Sequence, residues 1–182
     1  MNQQVATNQP TFSLQPSNLA EAMKLADIMA QSEMVPKDFR GKPGNVLVAV
    51  QMGAEVGLPP MQAIQNIAVI NGRPAIWGDA LKAIILNSPL CEKFEEGFDD
   101  ANMSAWVRVK RKGHAERVVV FSQDDAQRAG LWGKQGPWTQ YPKRMLQMRA
   151  RSFAARDEFA DVLKGLSVAE EQMDAPGERD IT

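Results

Sequence analysis

The apolar positions in the first third of the chain recur at helical spacing. Between residues 18 and 35 six apolar residues share one helical face, and Asn18 begins a capping-box pattern at the start of the segment. A linker with Pro and Gly follows, after which the pattern predicts a second helix that Gly57 ends and a short third helix with a proline in its first turn. The residues that share the apolar face of the first helix are Leu19, Ala22, Met23, Ala26, Met29 and Ala30.

The middle of the chain contains the period of two that is typical of strands. Two short apolar runs flank Asn71-Gly72, the preferred pair for a two-residue hairpin turn. After a helix between Asp79 and Pro89, three strands are expected to pair as an antiparallel meander within residues 90–98, 103–112 and 115–122. In the second of these, alternation places Val107 and Val109 on one face and Trp106, Arg108 and Lys110 on the other.

The last third of the chain returns to helical patterns. Ser122 is expected to cap a short helix that ends at Gly130, and a loop rich in Gly and Trp leads to a long helix from Tyr141 or Pro142 to about Glu158. Helices packed around a small antiparallel sheet with a β-hairpin belong to the α+β class. The predicted organisation is a disordered tail over 1–17, one domain over 18–166 and an acidic disordered tail over 167–182.

The composition narrows the class of protein. A chain of 182 residues with 44% hydrophobic residues suits one globular domain. No apolar run reaches the length of a membrane span, and the N-terminus lacks the basic start and apolar block of a signal peptide, so we expect a cytoplasmic protein. One cysteine and one histidine exclude a disulfide framework within the chain and argue against a Cys/His zinc site.

Charge is segregated along a chain whose formal net charge is only −1. From Trp106 to Arg156 there are twelve Lys/Arg and three acids, a net charge of +9, whereas Asp157 to the end carries eight acids and two bases, a net charge of −6. A basic block followed by an acidic one favours a polyanionic partner such as nucleic acid. The alternative is a solvated surface that happens to be basic.

A helical wheel divides the long basic helix into faces. Arg144 and Arg151 are seven residues apart and form a row opposite the core, while Arg149 and Arg156 form a second row at the border of the core face. Two such rows can contact successive phosphates, because guanidinium groups match phosphate oxygens in pairs. The stripe expected to face the core is Leu146, Ala150 and Phe153, with Met145 and Ala154 at its margins.

The local excess of cations predicts that many of them lack a carboxylate partner. The alternative for the arginine rows is salt bridging to Asp157, Glu158 or Asp161. Aromatic residues also lie beside the basic helix, namely Trp132, Trp138 and Tyr141, with Lys134 among them. Cations that follow the backbone and rings that stack on bases are typical of single-strand binding, but the tryptophans could instead pin the glycine-rich loop onto the core.

Other chemistry has weaker support in the sequence. The segment GLWGKQG has the wrong spacing for a phosphate-binding loop, and no dinucleotide fingerprint occurs, so a nucleotide-driven motor is not expected. The acids Glu95, Glu96, Asp99 and Asp100 could bind Mg²⁺ in a metal-dependent nuclease, although alternation puts Glu95 and Glu96 on opposite faces of a strand. Such a nuclease, or a non-catalytic oligomeric module that binds another protein, stays open as an alternative.

Two segments together resemble the RecT family of phage single-strand annealing proteins. The first, GLPPMQAIQNIAVINGRPAIWGDALKAIILNSP, has a helix after a Gly-Leu turn, a hairpin and a second helix. The second has Pro137-Trp138, a helix with a central Met145 and basic residues, and the closing Phe-Ala-Asp-Val at residues 159–162. The resemblance spans roughly Leu19 to Leu166. Members usually continue into a C-terminal region associated with partner proteins, whereas this chain ends soon after Ser167.

The resemblance implies ATP-independent binding of single-stranded DNA and annealing of complementary strands in phage-type recombination, without enzymatic catalysis. It implies no cofactor, with Mg²⁺ at most modulatory, and no membrane. The expected partners are single-stranded DNA, further copies of the chain in a ring or helical filament, and either a phage exonuclease or a host single-strand-binding protein, in the cytoplasm of a bacterium that carries the phage or prophage. The expected DNA-binding residues are Lys110, Arg111, Lys112, Trp132, Lys134, Trp138, Tyr141, Lys143, Arg144, Arg149, Arg151 and Arg156.

Overall fold

The computed structural model describes residues 15–175, so the expectations for residues 1–14 and 176–182 lie outside the described residues. The α+β class is confirmed, because helices pack around two small three-stranded sheets. The helices are α1 (Leu19–Ala30), α2 (Pro43–Glu55), α3 (Pro60–Asn66), α4 (Gly78–Asn87), α5 (Gln123–Arg128), α6 (Pro137–Gln140), α7 (Pro142–Leu163) and α8 (Ala169–Asp174), with a 3₁₀ turn at Lys37–Phe39. The strands are β1 (Ile67–Ile70), β2 (Arg73–Ile76), β3 (Cys91–Asp99), β4 (Ser104–Arg111), β5 (Arg117–Ser122) and β6 (Ser167–Val168).

Helices α1 to α3 form an apolar layer of their own. The Asn18 side chain accepts a hydrogen bond from the Glu21 backbone N–H at 2.9 Å, while the Glu21 carboxylate reaches back to Ser17, so half of the predicted capping box forms. On the apolar face of α1, Leu19 and Met23 remain exposed, because α1 packs mainly against α2 and buries only part of that face. The layer buries Ala26, Met29, Ala30, Phe39, Val46, Ala49, Ala63, Ile64 and Ile67.

The predicted hairpin at Asn71-Gly72 is confirmed. Strands β1 and β2 pair antiparallel, and Asn71 (φ +52°) and Gly72 (φ +74°) both adopt the left-handed conformation that a type I′ turn requires. Strand β6 then joins β2 in parallel, with Ser167 opposite Ala75 and Val168 opposite Ile76. The C-terminal part of the described chain therefore returns to the hairpin.

The predicted meander β3-β4-β5 is also confirmed. Val107 and Val109 are buried on the face that packs against α7, and Trp106, Arg108 and Lys110 are half-buried on the opposite face. The Trp106 indole lies over Gly97, where an added Cβ would be 2.2 Å from the ring. The capping box that begins α5 is complete, because the Ser122 and Asp125 side chains and backbones bond reciprocally.

Helix α7 lies across β4 and β5, with α4 packed along it. The helix continues past the predicted end at Glu158, with one non-helical residue at Phe159 (φ −130°, ψ 28°), and ends at Leu163. Lys164 (φ +53°) and Gly165 (φ +77°) turn the chain away in the left-handed conformation. The buried residues of this layer include Leu81, Ile85, Val107, Val109, Leu146, Ala150, Ala154, Phe159 and Leu163.

The prediction of a disordered acidic tail from residue 167 is wrong for residues 167–174. Ser167 and Val168 form β6, Ala169 is buried, and α8 ends at Asp174. Acidic residues favour disorder only when they remain solvated, whereas the carboxylates of α8 pair with cations of the basic helix. The domain therefore extends beyond Leu166.

Candidate nucleic-acid interface

Helix α7 is buried on more than the one face that the wheel predicts. Leu146, Ala150 and Ala154 are buried as expected, and Phe153 is half-buried against the Phe121 ring at 5.6 Å between centroids. Met148, Ser152 and Ala155, which lie outside the predicted stripe, are buried as well. The sheet covers one side of α7 while α4 and α8 cover others.

Arg151 is not part of an exposed row, contrary to prediction. Its side chain is 4% exposed, its Nε donates to Glu96 Oε1 at 2.5 Å, and its Nη1 donates to Asp79 Oδ1 at 2.6 Å. Burial alone would raise the pKa of Glu96 and lower that of Arg151, but the hydrogen bonds and charge attraction between them, together with those from Lys82 to Glu96 and from Asp79 to Arg151, outweigh burial. The pKa of Glu96 therefore lies below its ordinary value and that of Arg151 above it. Arg151 anchors α7 to β3 and α4.

Lys143 and Arg144 occupy the exposed start of α7. Lys143 pairs with Asp100 and lies 5.3 Å from the centroid of the Phe98 ring. Arg144 Nη2 donates to Asp79 Oδ1 at 2.8 Å, and the pKa of Asp79 lies below its ordinary value, chiefly through the hydrogen bond from Arg151. Lys143 is 56% and Arg144 47% exposed, and both partner carboxylates are 76% exposed, so these two cations are accessible to a ligand.

The second predicted row, Arg149 and Arg156, pairs with carboxylates of α8, and Arg156 is still 45% exposed. Arg149 is 13% exposed, and its Nη2 donates to Asp174 Oδ2 at 2.7 Å, while Arg156 Nη2 lies 3.0 Å from Glu171 Oε2. The partners are not Asp157, Glu158 or Asp161, the acids that the alternative named. The row exists, but acids from the segment predicted to be disordered neutralise it.

The aromatic candidates separate into buried and exposed side chains. Trp138 is 2% exposed and its Nε1 donates to both carboxylate oxygens of Asp174, at 2.9 and 3.0 Å, so it pins its loop onto the core. Trp132 is half-buried against the same core, and the neighbouring Lys134 donates to the Asp174 carbonyl at 3.1 Å. Tyr141 alone among the three is well exposed, at 66%.

The cations of β4 and its turn lie away from the start of α7. Lys110 pairs with Glu92 at 2.7 Å, and Lys112 is exposed with no ion pair in the part of the chain that the structure describes. Arg111 donates two hydrogen bonds to the Asp161 carboxylate, at 2.6 and 2.8 Å, and they lower the pKa of Asp161 to about 2. The predicted set of twelve residues is therefore spread over several surfaces.

The expected excess of unpaired cations is wrong for residues 106–156. Each of the twelve Lys/Arg in that block except Lys112 forms an ion pair, mostly with acids that lie far away in sequence. The fold brings together charges that the sequence separates. Accessibility, rather than local net charge, therefore decides which cations can meet a ligand.

The acid cluster proposed for the nuclease alternative is divided by the fold. Glu95 pairs with Arg108 on the outer face of the sheet, and Glu96 pairs with Lys82 at 2.5 Å on the other side. Asp99 closes its own turn through the Ala101 and Asn102 N–H groups. Across residues 15–175 no group of three or more His, Cys, Asp or Glu side chains is arranged to hold a metal ion.

Sequence reasoning missed Lys82 and Asp79, two residues of α4 beside the start of α7. Lys82 is 30% exposed and lies 5.6 Å from the centroid of the Phe94 ring, and Asp79 bridges Arg144 and Arg151. The only local signal is their spacing of three residues, which puts them on one side of α4. Their link to α7 depends on tertiary packing.

In comparisons with known proteins, no family model matches the chain and no curated protein matches it significantly. Within residues 15–175, none of the helices combines the length and apolar character needed to span a bilayer.

Proposed function

We propose that this chain binds single-stranded DNA and anneals complementary strands without ATP, in the manner of the RecT family that its sequence resembles. One observation carries the proposal. Lys143 and Arg144 are adjacent and exposed, and the carboxylate beside each, on Asp100 and Asp79, is itself 76% exposed. Surface pairs of this kind contribute only ~0–1 kcal/mol, so phosphate oxygens can replace the carboxylates at small cost.

In the proposed complex, Lys143 and Arg144 hold successive phosphates of one strand. Tyr141, which immediately precedes α7 and is 66% exposed, stacks on a base. The buried pairs of Arg151 hold the helix in position and do not contact DNA. Bases that no ring contacts stay open for a second strand.

A single chain offers few such contacts, so the proposal includes assembly of several copies along one DNA strand. Linked weak contacts bind far more tightly than separate ones, because each later contact forms at high effective concentration. A ring or helical filament in the bacterial cytoplasm would fit this role, with a phage exonuclease supplying single strands and a host single-strand-binding protein nearby. Mg²⁺ has at most a modulatory part in the proposal.

An annealing assay tests the proposal. Two complementary oligonucleotides, labelled with a donor and an acceptor fluorophore, are mixed with the chain in the absence of ATP. We expect energy transfer to rise faster than without protein and both strands to stay at full length on a denaturing gel. Non-complementary strands serve as the control.

The same assay separates the alternatives. Shortened strands in the presence of Mg²⁺ would favour the nuclease. Strands that neither anneal faster nor gain protection from added nuclease would favour a module that binds another protein, and would end the annealing proposal.

A further inference from the structure

A short acidic segment covers part of the basic helix. We call α8, Ala169–Asp174, the acidic clasp, because its six residues contain three carboxylates and no cation. Glu171 pairs with Arg156 at 3.0 Å and lies 3.7 Å from Arg149, and Asp174 pairs with Arg149 at 2.7 Å. Three of the expected DNA-binding cations are therefore held by one segment, namely Lys134, Arg149 and Arg156.

The clasp presents its charges as a strand of nucleic acid would. Glu171 and Asp174 are three residues apart, so their carboxylates project from one side of the helix. Arg149 and Arg156 are two turns apart on α7, and their guanidinium groups form ion pairs with those carboxylates. Guanidinium groups form the same charge-assisted hydrogen bonds with phosphate oxygens as with carboxylates. The site that holds the clasp thus has the chemistry to hold a phosphodiester backbone.

The clasp satisfies these cations incompletely. The Arg149 Nε is buried and has no hydrogen-bond partner in the described residues. A buried donor without an acceptor is unfavourable, and a phosphate brings more acceptor oxygens to the same position. The bound clasp therefore leaves room for a better ligand at Arg149.

The attachment of the clasp is local and limited. A helix of six residues has little stability of its own, so contacts with the rest of the domain must hold it. Apart from the contacts of Glu171 and Asp174, these are the buried Ala169, two hydrogen bonds from the Gly78 N–H to Glu170 at 3.1 Å, and one from the Asn71 side chain to the Gln172 carbonyl at 3.2 Å. At the far end Met173 is 51% exposed, and Asp174 is held by its ion pair with Arg149 and by hydrogen bonds from Trp138 Nε1.

We propose that the acidic clasp is autoinhibitory. It occupies a second polyanion-binding surface, and single-stranded DNA binds to that surface by displacing the clasp. The surface comprises Lys134, Arg149 and Arg156. This inference rests on the proposed function, because it describes how DNA binding along α7 is regulated. Lys143 and Arg144 make the first contact, and displacement of the clasp extends the bound strand along α7.

A charge variant tests the clasp. The Glu171→Gln/Asp174→Asn variant keeps the side-chain shapes and removes two competing charges. The matched control, Asp27→Asn/Glu33→Gln, removes two charges from exposed residues of α1 and the loop that follows it. With a labelled oligothymidylate, we expect the clasp variant to bind about tenfold more tightly than the control, because no competing charge has to be displaced. Its log–log salt slope should match that of the control, because DNA makes the same phosphate contacts in both complexes once the clasp has left. Equal affinities for the two variants would overturn the proposal.

The outcomes separate this inference from the proposed function. If neither the unmodified chain nor the clasp variant binds the oligonucleotide, DNA binding itself is wrong and the clasp proposal is overturned with it. If the unmodified chain binds and the clasp variant matches the control, only the clasp proposal is overturned. Tighter binding by the clasp variant alone supports it.

Hydrogen exchange on the unmodified chain covers the case in which the clasp variant fails to fold, which circular dichroism would show. Saturating oligonucleotide is expected to speed exchange at the amides of residues 169–174 at least tenfold, because displacement breaks the helical hydrogen bonds of the clasp. Unchanged or slower exchange in the bound chain would overturn the proposal without any substitution.

Discussion

At the residue scale, the buried pair of Arg151 and Glu96 predicts a large cost for removing one partner. In Glu96→Gln the guanidinium stays buried but loses a charged acceptor, and breaking a buried pair costs about 3 kcal/mol or more. The matched change Glu95→Gln, on the adjacent residue of the same strand, removes a carboxylate that is 48% exposed and should cost less than about 0.5 kcal/mol. Urea unfolding at pH 7 measures both, and equal costs would contradict the assigned role of Arg151.

The pair of Asp161 and Arg111 predicts a dependence of stability on pH. The folded-state pKa of Asp161 is about 2, below its ordinary value of 3.8, so its contribution is fully present above about pH 4 and is lost as the pH falls towards 2. The unfolding free energies of the unmodified chain and Asp161→Asn should therefore differ at pH 6 and converge as the pH falls through 2. In an Arg111→Gln background, the effect of Asp161→Asn on the unfolding free energy should not depend on pH in this way. If the effect of Asp161→Asn in the unmodified chain is independent of pH, the assigned pairing with Arg111 is wrong.

At the element scale, the close contact of β3 and β4 depends on Gly97. Gly97→Ala would place a methyl group 2.2 Å from the Trp106 ring, so the indole must move and the meander should lose about 1–3 kcal/mol of stability. Gly44→Ala is the matched control, because it lies in the first turn of α2 with no atom within 4 Å and should be neutral or slightly stabilising. Urea unfolding followed by tryptophan fluorescence measures both. Equal stabilities of the two variants would show that Trp106 can reorient freely.

Elements whose signals are local could be predicted from the sequence. The hairpin follows from Asn71-Gly72, because that pair tolerates the positive φ values of its turn, and the cap of α5 follows from Ser122. The clasp could not be predicted, because its sequence is acidic and unpatterned. Its order comes from Arg149 and from the pairing of the preceding strand β6 with β2, both partners being distant in sequence.

At the scale of the whole molecule, the candidate site could be predicted only in part. A wheel places Arg144 and Arg151 on the same side of α7, but it cannot show that β3 and α4 cover Arg151 and leave Arg144 at the surface. The net charge of residues 106–156 likewise ignores acids brought in by tertiary packing. Of the predicted DNA-binding cations in the first half of α7, only Lys143 and Arg144 are exposed. These two can be substituted for a binding experiment without damage to the core.

The last prediction separates contact with DNA from the general field of the protein. Lys143→Ala/Arg144→Ala should weaken binding to an oligothymidylate and reduce the log–log salt slope by about 1.4, because each phosphate contact with a single strand contributes about 0.7. The control Lys24→Ala/Lys37→Ala removes the same charge from exposed residues at the α1 end of the chain. Because it changes only the long-range field, its affinity should fall slightly with the slope unchanged. Titrations at several salt concentrations, after urea unfolding confirms that both variants fold, measure the difference. Equal slopes for the two variants would place the DNA elsewhere on the molecule.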